Sequence, residues 1–542
     1  MRIGRIALLA CVFIGISATT FKNDKLYEIS KNIEIFINVY KELNANYVDD
    51  LDPSELMKVG LDAIVGSLDP YTNYISESQV SSYRLNTEGT YDGIGAIVKM
   101  VDDYVTIIEP HEDSPVLKAG LQAGDQIIAI EGKSTEGKSL EEVTNFYRGV
   151  AGTSVRMKIK RKGSEDFDVD IKRSSVNIPN VPYSGYVEDG IGYISLTTFT
   201  ADAGKNIRKA YKKLKEEDGN LKGLILDLRD NGGGLLREAI GISNIFVPQN
   251  KEVVSVKSKV RDRDETYRTL AAPLDLEIPL IVLINKSSAS ASEIVSGVMQ
   301  DLDRGVLMGQ RSYGKGLVQN TKEVGYNSRV KITTSKYYIP SGRCIQSVEY
   351  KDGEPVDIAD EKRSKFKTAG GRTVLDGGGV TPDIILPVEK KSDVLNSLKE
   401  QFMIFKFANE YFETMDTSQV VDEITFTDFE AFKAFTKKAN FEYETPAQKA
   451  LKTAKEKLES ENRKELLPQI EAIDKSIEAS KLTALDDAKE EIINDIEITL
   501  ATRIFYSKGR VFQKLKNDKD IDAAIALFND MDKYYLTLGI IK

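Results

Sequence analysis

Short runs of almost unbroken apolar residues alternate, in the middle of this chain, with stretches whose apolar positions recur every three or four residues. Ile191-Gly-Tyr-Ile-Ser-Leu196, Gly223-Leu-Ile-Leu-Asp-Leu228 and Leu280-Ile-Val-Leu-Ile284 have the length and composition of buried strands. The stretches 201–216 and 234–246 between them have helical spacing, and the alternation predicts an α/β core. Upstream, Ile29, Ile33, Phe36, Ile37 and Tyr40 mark one face of a helix. Asp52-Pro-Ser-Glu55 opens a second with capping residues, and Leu68-Asp-Pro-Tyr-Thr72 ends it. Between 89 and 173 the pattern shortens to strands such as Val105-Thr-Ile-Ile108 and Val155-Arg-Met-Lys-Ile-Lys160, separated by glycine turns. The polar segment 350–370 predicts a loop. Beyond about 391 come long charged helices, for example Ala447 to Glu461 and Leu482 to Thr499. Their pattern predicts a solvated amphipathic bundle in which no chemistry is visible. The expected layout is a terminal segment (1–20), a helical region (24–86), a small β-rich domain (87–174), an α/β core (175–390) and a helical extension (391–542).

A chain of 542 residues, 41% hydrophobic and 29% charged, accommodates three or four ordinary globular domains. The net charge of −10 argues against nucleic acid, which requires a basic footprint. Cys11 and Cys344 are the only cysteines and provide no disulfide framework. No Cys/His cluster has metal-ligand spacing, so neither metal nor other cofactor is expected. At the start, Arg2 and Arg5 flank the apolar run Ile6 to Ala18, followed by small residues. This suits a secretory signal better than a bilayer span. Leu8-Leu-Ala-Cys11 half-matches a lipoprotein signal, but apolar residues continue past Cys11, so lipidation ranks second. Either outcome predicts the periplasm or cell envelope, with membrane association through the N-terminal segment as the variant, and leaves Cys344 as the sole thiol of a cleaved chain.

Candidate chemistry narrows because His111 is the only histidine. It lies in Glu109-Pro-His-Glu-Asp-Ser-Pro115, which predicts a surface turn. A nucleophilic serine in this chain therefore finds its base most economically in a lysine, whose amine burial can keep neutral. Ser290, in Ser-Ala-Ser-Ala-Ser-Glu293, sits between the strand 281–284 and the helical run Ile294 to Met299. Backbone N–H groups at that helix start can receive an oxyanion. Lys315 lies in Tyr313-Gly-Lys-Gly-Leu-Val-Gln319. Taken singly, serines at helix starts are usually caps and lysines in glycine loops are usually solvated.

Asp227-Leu-Arg-Asp-Asn-Gly-Gly-Gly-Leu-Leu236, the serine run ending in Glu293, and Gly314-Lys-Gly-x-x-Gln319 occur in that order. Together they resemble the motifs of the carboxyl-terminal processing proteases, over about residues 25–388. The resemblance implies Ser290 as nucleophile, Lys315 as general base and Gln319 as the residue that orients the lysine. Four residues apart, Lys315 and Gln319 would share a face on any local helical turn. It implies oxyanion donors at the N–H groups of Ala291 and Gly233. Gly232 stands where the family usually has proline, which loosens the loop and leaves the choice among Gly232, Gly233 and Gly234 open. It also implies a multidomain α/β fold with a ClpP/crotonase-like core, an inserted PDZ domain, an N-terminal helical segment and a C-terminal helical extension. For the N-terminal helices, packing on the core is the simpler expectation and a homodimerising arm the alternative.

Residues 89–173 resemble a PDZ domain through Gly93-Ile-Gly-Ala96, Ser114-Pro-Val-x-x-Ala-Gly-Leu121 and Ala123-Gly-Asp-Gln-Ile-Ile128. Consecutive N–H groups of Gly93, Ile94, Gly95 and Ala96 would form a nest for a terminal carboxylate, beside a strand edge open to β-augmentation. Arg148 is a candidate link from this domain to the core, or a solvated helix-end arginine. The expected function is a secreted serine endopeptidase that recognises free C-termini of protein or peptide substrates. The rival readings are a catalytically inactive PDZ scaffold binding C-termini and, by fold analogy alone, an acyl-CoA enzyme on the same core.

Overall fold

In a computed structural model, residues 3–346, 349–351, 354–356, 359–415 and 424–540 are described. For 3–24, 78, 81, 82, 86, 218, 349–351 and 354–356 the description stops at the backbone. The side chains of the expected signal segment, Cys11 among them, lie outside the described residues. The chain divides into two compact units, Met1–Ser76 with Lys322–Lys331, and Glu77–Thr321 with Ile332–Lys542.

The first unit is built on the helices Ile3–Asn46 and Pro53–Gly66. Asp52 caps the second, accepting from the N–H groups of Ser54 and Glu55, as its Asp-Pro-Ser-Glu pattern predicts. A short strand, Asn73–Ile75, follows and pairs antiparallel with residues 329–331. The helical face predicted by Ile29, Ile33, Phe36 and Ile37 forms, yet all four stay exposed. Among described residues no helix is long and apolar enough to cross a membrane.

Among the described residues, the second unit holds four hydrophobic clusters. Its six-stranded, mostly parallel sheet runs in the order Ser184–Glu188, Ile191–Ser195, Gly223–Asp227, Leu280–Ile284, Val306–Gly309, Ile384–Ile385. The first pair is antiparallel and the rest parallel. Every residue of Gly223–Asp227 and Leu280–Ile284 is buried, because helices or loops cover both faces of a parallel sheet. Helices Ala203–Asp218, Leu236–Phe246 and Ala291–Asp301 supply one covering layer.

A second sheet forms the small domain: Ala96–Val101, Tyr104–Pro110, Gln126–Ile130, Ser154–Lys160 and Phe167–Lys172, all antiparallel. Helix Leu140–Tyr147 closes its core through Val143 and Tyr147. Thr90–Gly93 and Ser174–Asn177 pair with each other and carry the chain into and out of this domain.

Two expectations need correction. Lys365–Lys367 pairs with Thr373–Leu375, and Glu349–Lys351 with Glu354–Val356, so 350–370 contains hairpins where polarity predicted only loop. In both, antiparallel backbone pairing defines the strands. The helical extension is also more than a solvated bundle. Its helices Met403–Phe412, Phe429–Lys438 and Lys489–Leu515 enclose a core of their own around Phe407, Phe432 and Ile496. The last two, Lys519–Phe528 and Met531–Thr537, pack on the mostly parallel sheet through Ile521, Leu527, Phe528 and Tyr534. The Phe528 ring lies where a Cβ on Gly223 would fall, 2.9 Å away. The Tyr534 hydroxyl accepts from Leu280 N at 2.8 Å and reaches Leu280 O at 3.1 Å.

Candidate active site

The buried strand Leu280–Ile284 ends in a sharp turn, and Ser290 emerges from it as the residue preceding helix Ala291–Asp301. Its backbone has φ 55° and ψ −113°, a region L-residues avoid at a cost of about 1–3 kcal/mol. Such strain persists only where neighbours over-determine it, and it is the geometry that lifts a nucleophile out of a strand–helix turn. The neighbours are identifiable. Ser288 Oγ donates to Leu228 O at 2.8 Å, Ala289 N to Asn231 O at 3.0 Å, and Ser292 Oγ to Asn231 O at 2.8 Å. The turn is thus stitched to the loop following strand Gly223–Asp227.

Glu293, wholly buried one helical turn after Ser290, draws the candidate site together. One carboxylate oxygen accepts from Ser290 N (2.8 Å) and Lys315 N (2.9 Å). The other accepts from Ser312 Oγ (2.5 Å) and Gly314 N (2.7 Å). Burial pushes its pKa up to about 7, while these four donors pull the other way. All four suit the acceptor-only, ionised form. Sequence reasoning gave Glu293 no role, although Ser-x-x-Glu ahead of an apolar run is the pattern of a capping box. In that box the glutamate holds the N–H of Ser290.

Lys315 is half-buried beside this anchor. The Tyr337 hydroxyl reaches the carbonyl of Ser290 at 3.2 Å and that of Lys315 as well, a second tie between the two segments. Gln319 lies on strand Leu317–Gly325, not on a helical turn. A helical turn therefore does not pair it with Lys315, which precedes this strand; the strand begins at Leu317. The amide of Gln319 donates to Thr333 Oγ1 at 3.1 Å, fixing the side chain between strands.

The glycine loop comes within van der Waals contact of the Ser290 turn. A Cβ on Gly233, whose φ is +93°, would meet Ala289 O at 2.6 Å, Ala291 N at 2.8 Å and Ser290 Cβ at 2.8 Å. Only glycine fits. The Gly233 N–H itself donates to Asn231 Oδ1 at 2.9 Å, so in this arrangement it is turned to the loop's own asparagine. A Cβ on Gly232 would meet nothing within 4 Å.

In the small domain, Gly93, Ile94 and Gly95 are buried, and Gly95 has φ +81°. Ser114 caps a helical turn against them, with Val116 N bonded to Ile94 O at 3.0 Å. The Tyr91 ring lies over Gly93, 2.8 Å from where a Cβ would be. Burial raises the Tyr91 pKa to about 12, opposed by the N–H groups of Ala96 and Gly95 facing its hydroxyl. The predicted carboxylate nest thus already faces a hydroxyl of the chain itself, which the sequence pattern did not reveal. Arg148 terminates helix Leu140–Tyr147, near Tyr91 and Tyr147. His111 is not in a plain surface turn. It is partly buried, and desolvation, then the charge of Arg510, lower its pKa.

Three family models match the chain: "Peptidase family S41" over residues 190–354, "PDZ domain" over 93–172, and "Probable PDZ-protease, C-terminal helical domain" over 394–528. The "Carboxy-terminal-processing protease" of Bartonella bacilliformis is 35% identical over 335 residues, 61% of this chain and 76% of that one. A "Probable CtpA-like serine protease" of Staphylococcus aureus is 34% identical over 357 residues, 65% and 71% of the two chains. Among solved structures, the photosystem II D1 C-terminal processing protease aligns with 65% of this chain and 92% of its own, at 24% identity and TM-score 0.35.

Proposed function

The chain belongs to the carboxy-terminal-processing proteases of peptidase family S41, and on that footing we propose that it is an endopeptidase working through Ser290 and Lys315, with Gln319 in support. The observation that carries this reading is the double tie of Glu293 to Ser290 N and Lys315 N, with Ser290 held in a strained turn. A scaffold that had lost catalysis would have no use for that strain. In the proposed mechanism Lys315 Nζ takes the proton of Ser290 Oγ as it attacks the scissile carbonyl, then protonates the leaving amine. The Ala291 N–H, next to the nucleophile at the helix start, would serve as one oxyanion donor. A glycine N–H joins it, either from Gly232 or from Gly233 once it leaves Asn231. Gln319, braced by Thr333, would limit the arc of the lysine.

The PDZ domain is proposed to select substrates by a free C-terminal carboxylate in the Gly93–Ala96 nest. The apolar N-terminal run after Arg2 and Arg5 supports export to the periplasm or cell envelope, with membrane association through it. The exposed Ile29, Ile33, Phe36 and Ile37 support a homodimer through the N-terminal helices, since apolar faces of this kind are normally covered. Incubating an unfolded protein substrate with the enzyme and with Ser290→Ala, and mapping products by mass spectrometry, tests the reading. Defined internal cuts only with the wild type are expected; equal cutting by Ser290→Ala would refute it.

A further inference from the structure

The final helices are joined to the catalytic loop by an ion cluster that the proposed chemistry does not use. Arg229 follows strand Gly223–Asp227 and precedes the glycine loop. Its guanidinium takes Asp227 on one edge, with Nε 3.0 Å from Oδ1 and Nη2 2.7 Å from Oδ2. On the other edge it takes Asp518, with Nη1 3.0 Å from Oδ1 and Nη2 2.7 Å from Oδ2, and Nη1 reaches Asp520 Oδ2 at 3.1 Å. All five N–H donors are therefore engaged. The Tyr193 hydroxyl donates to Asp227 Oδ2 at 2.8 Å. The group is sheltered: Arg229 is 15% exposed and Asp518 and Asp520 are 18% exposed.

Asp518 is itself fixed. It caps helix Lys519–Phe528, accepting from the N–H groups of Asp520 and Ile521. A guanidinium gripped at two edges has one orientation, and here that orientation sets the backbone on both sides of Arg229. Those neighbours are the acceptors that hold the nucleophile turn: Leu228 O receives Ser288 Oγ, and Asn231 O receives both Ala289 N and Ser292 Oγ.

We infer that Asp518 and Asp520 are positioning residues for catalysis, acting through Arg229 on the loop 228–233 that supports Ser290 and faces its oxyanion. The helical extension then completes the catalytic core rather than merely decorating it. The inference rests on Ser290 being the nucleophile. Its chemistry is specific: a bidentate carboxylate at 518, not simply an occupied helix, keeps the loop in register. Because misplacement of reacting groups by about 1 Å costs on the order of a hundredfold in rate, loosening Arg229 should act on turnover.

The test uses the full-length enzyme and a quenched fluorescent peptide with a free C-terminus, reading kcat, KM and melting temperature on the same samples, well below the melting transition. Asp518→Asn, close to isosteric, is expected to lower kcat by roughly tenfold or more with KM within about twofold. Asp520→Asn should do the same more weakly, and Asp518→Glu, which keeps the charge, should recover much of the loss. Phe528→Leu on the same helix loosens its packing on Gly223 and should lower the melting temperature without the kcat effect. Wild-type kcat in Asp518→Asn, or an equal kcat loss in Phe528→Leu, would overturn the inference. If Ser290→Ala abolishes turnover while Asp518→Asn leaves it intact, only this inference falls. Turnover surviving in Ser290→Ala removes the nucleophile and the inference with it.

Discussion

Replacing Glu293 by glutamine keeps the shape of the side chain and removes two of its four acceptor positions. One carboxylate oxygen now serves Ser290 N and Lys315 N, the other Ser312 Oγ and Gly314 N. Whichever way the amide turns, its NH2 faces two donors. Two charge-assisted hydrogen bonds are lost, each contributing about 1.5–3 kcal/mol. Against this stands the cost of burying the charge. The pKa moves from 4.5 to about 7, which corresponds to about 3 kcal/mol above pH 7. The shift to about 7 is already net of those hydrogen bonds, so the two contributions do not simply subtract; at pH 8 the loss of stability in Glu293→Gln should be at most about 3 kcal/mol.

The pH dependence separates the two terms. The folded state binds the proton of Glu293 more tightly than the unfolded state. Its contribution to stability therefore falls as pH rises from about 4.5 to about 7, and is level beyond. Between pH 5 and 8 the wild type should lose about 2–3 kcal/mol more than Glu293→Gln, measured by urea unfolding at each pH. Turnover should fall about a hundredfold, because the pin between the proposed nucleophile and base is cut. Wild-type kcat in Glu293→Gln, with parallel pH profiles of stability, would refute this role.

The glycine loop gives a contrasting pair. Gly233→Ala should abolish activity through collision with the nucleophile turn, whereas Gly232→Ala, which meets open space, should fold normally and melt slightly higher. Comparing the two in one peptidase assay and one thermal melt checks both. Amidating a substrate's C-terminus should weaken binding on the order of ten- to a hundredfold if the Gly93–Ala96 nest reads the carboxylate. Equal KM for acid and amide would exclude that role. Tyr91→Phe removes the hydroxyl facing the nest and should tighten binding of the free-acid peptide several-fold by calorimetry; unchanged affinity would mean the hydroxyl does not compete.

The core strands were legible because a strand buried on both faces must be apolar throughout, as Leu280–Ile284 is. Observed bounds differ from the pattern by a residue or so at Ile191–Ser195 and Gly223–Asp227. Three features were not legible, for different reasons. The hairpins within 349–375 are built from strands of three residues each, too short for periodicity to reveal their pairing. The apolar face of Lys519–Phe528 predicts burial but cannot name its partner, here the catalytic sheet. For Gln319 the spacing of four from Lys315 suggested a helical turn, whereas the fold puts Gln319 on strand Leu317–Gly325. In the candidate site, Ser290 and Lys315 stood out because a chain with one histidine has few bases to offer. Glu293 was hidden in plain view, since the same Ser-x-x-Glu pattern serves ordinary helix caps.

The central claim is that a lysine, not a histidine, is the base. The most direct measurement compares steady-state turnover of Lys315→Ala and His111→Gln with the wild type on one free-acid peptide, with folding verified by thermal melts. His111 sits in the PDZ domain against Arg510, away from the residues that Glu293 gathers. The account predicts no detectable turnover in Lys315→Ala and wild-type kcat in His111→Gln. Activity retained in Lys315→Ala, together with its loss in a folded His111→Gln, would contradict it.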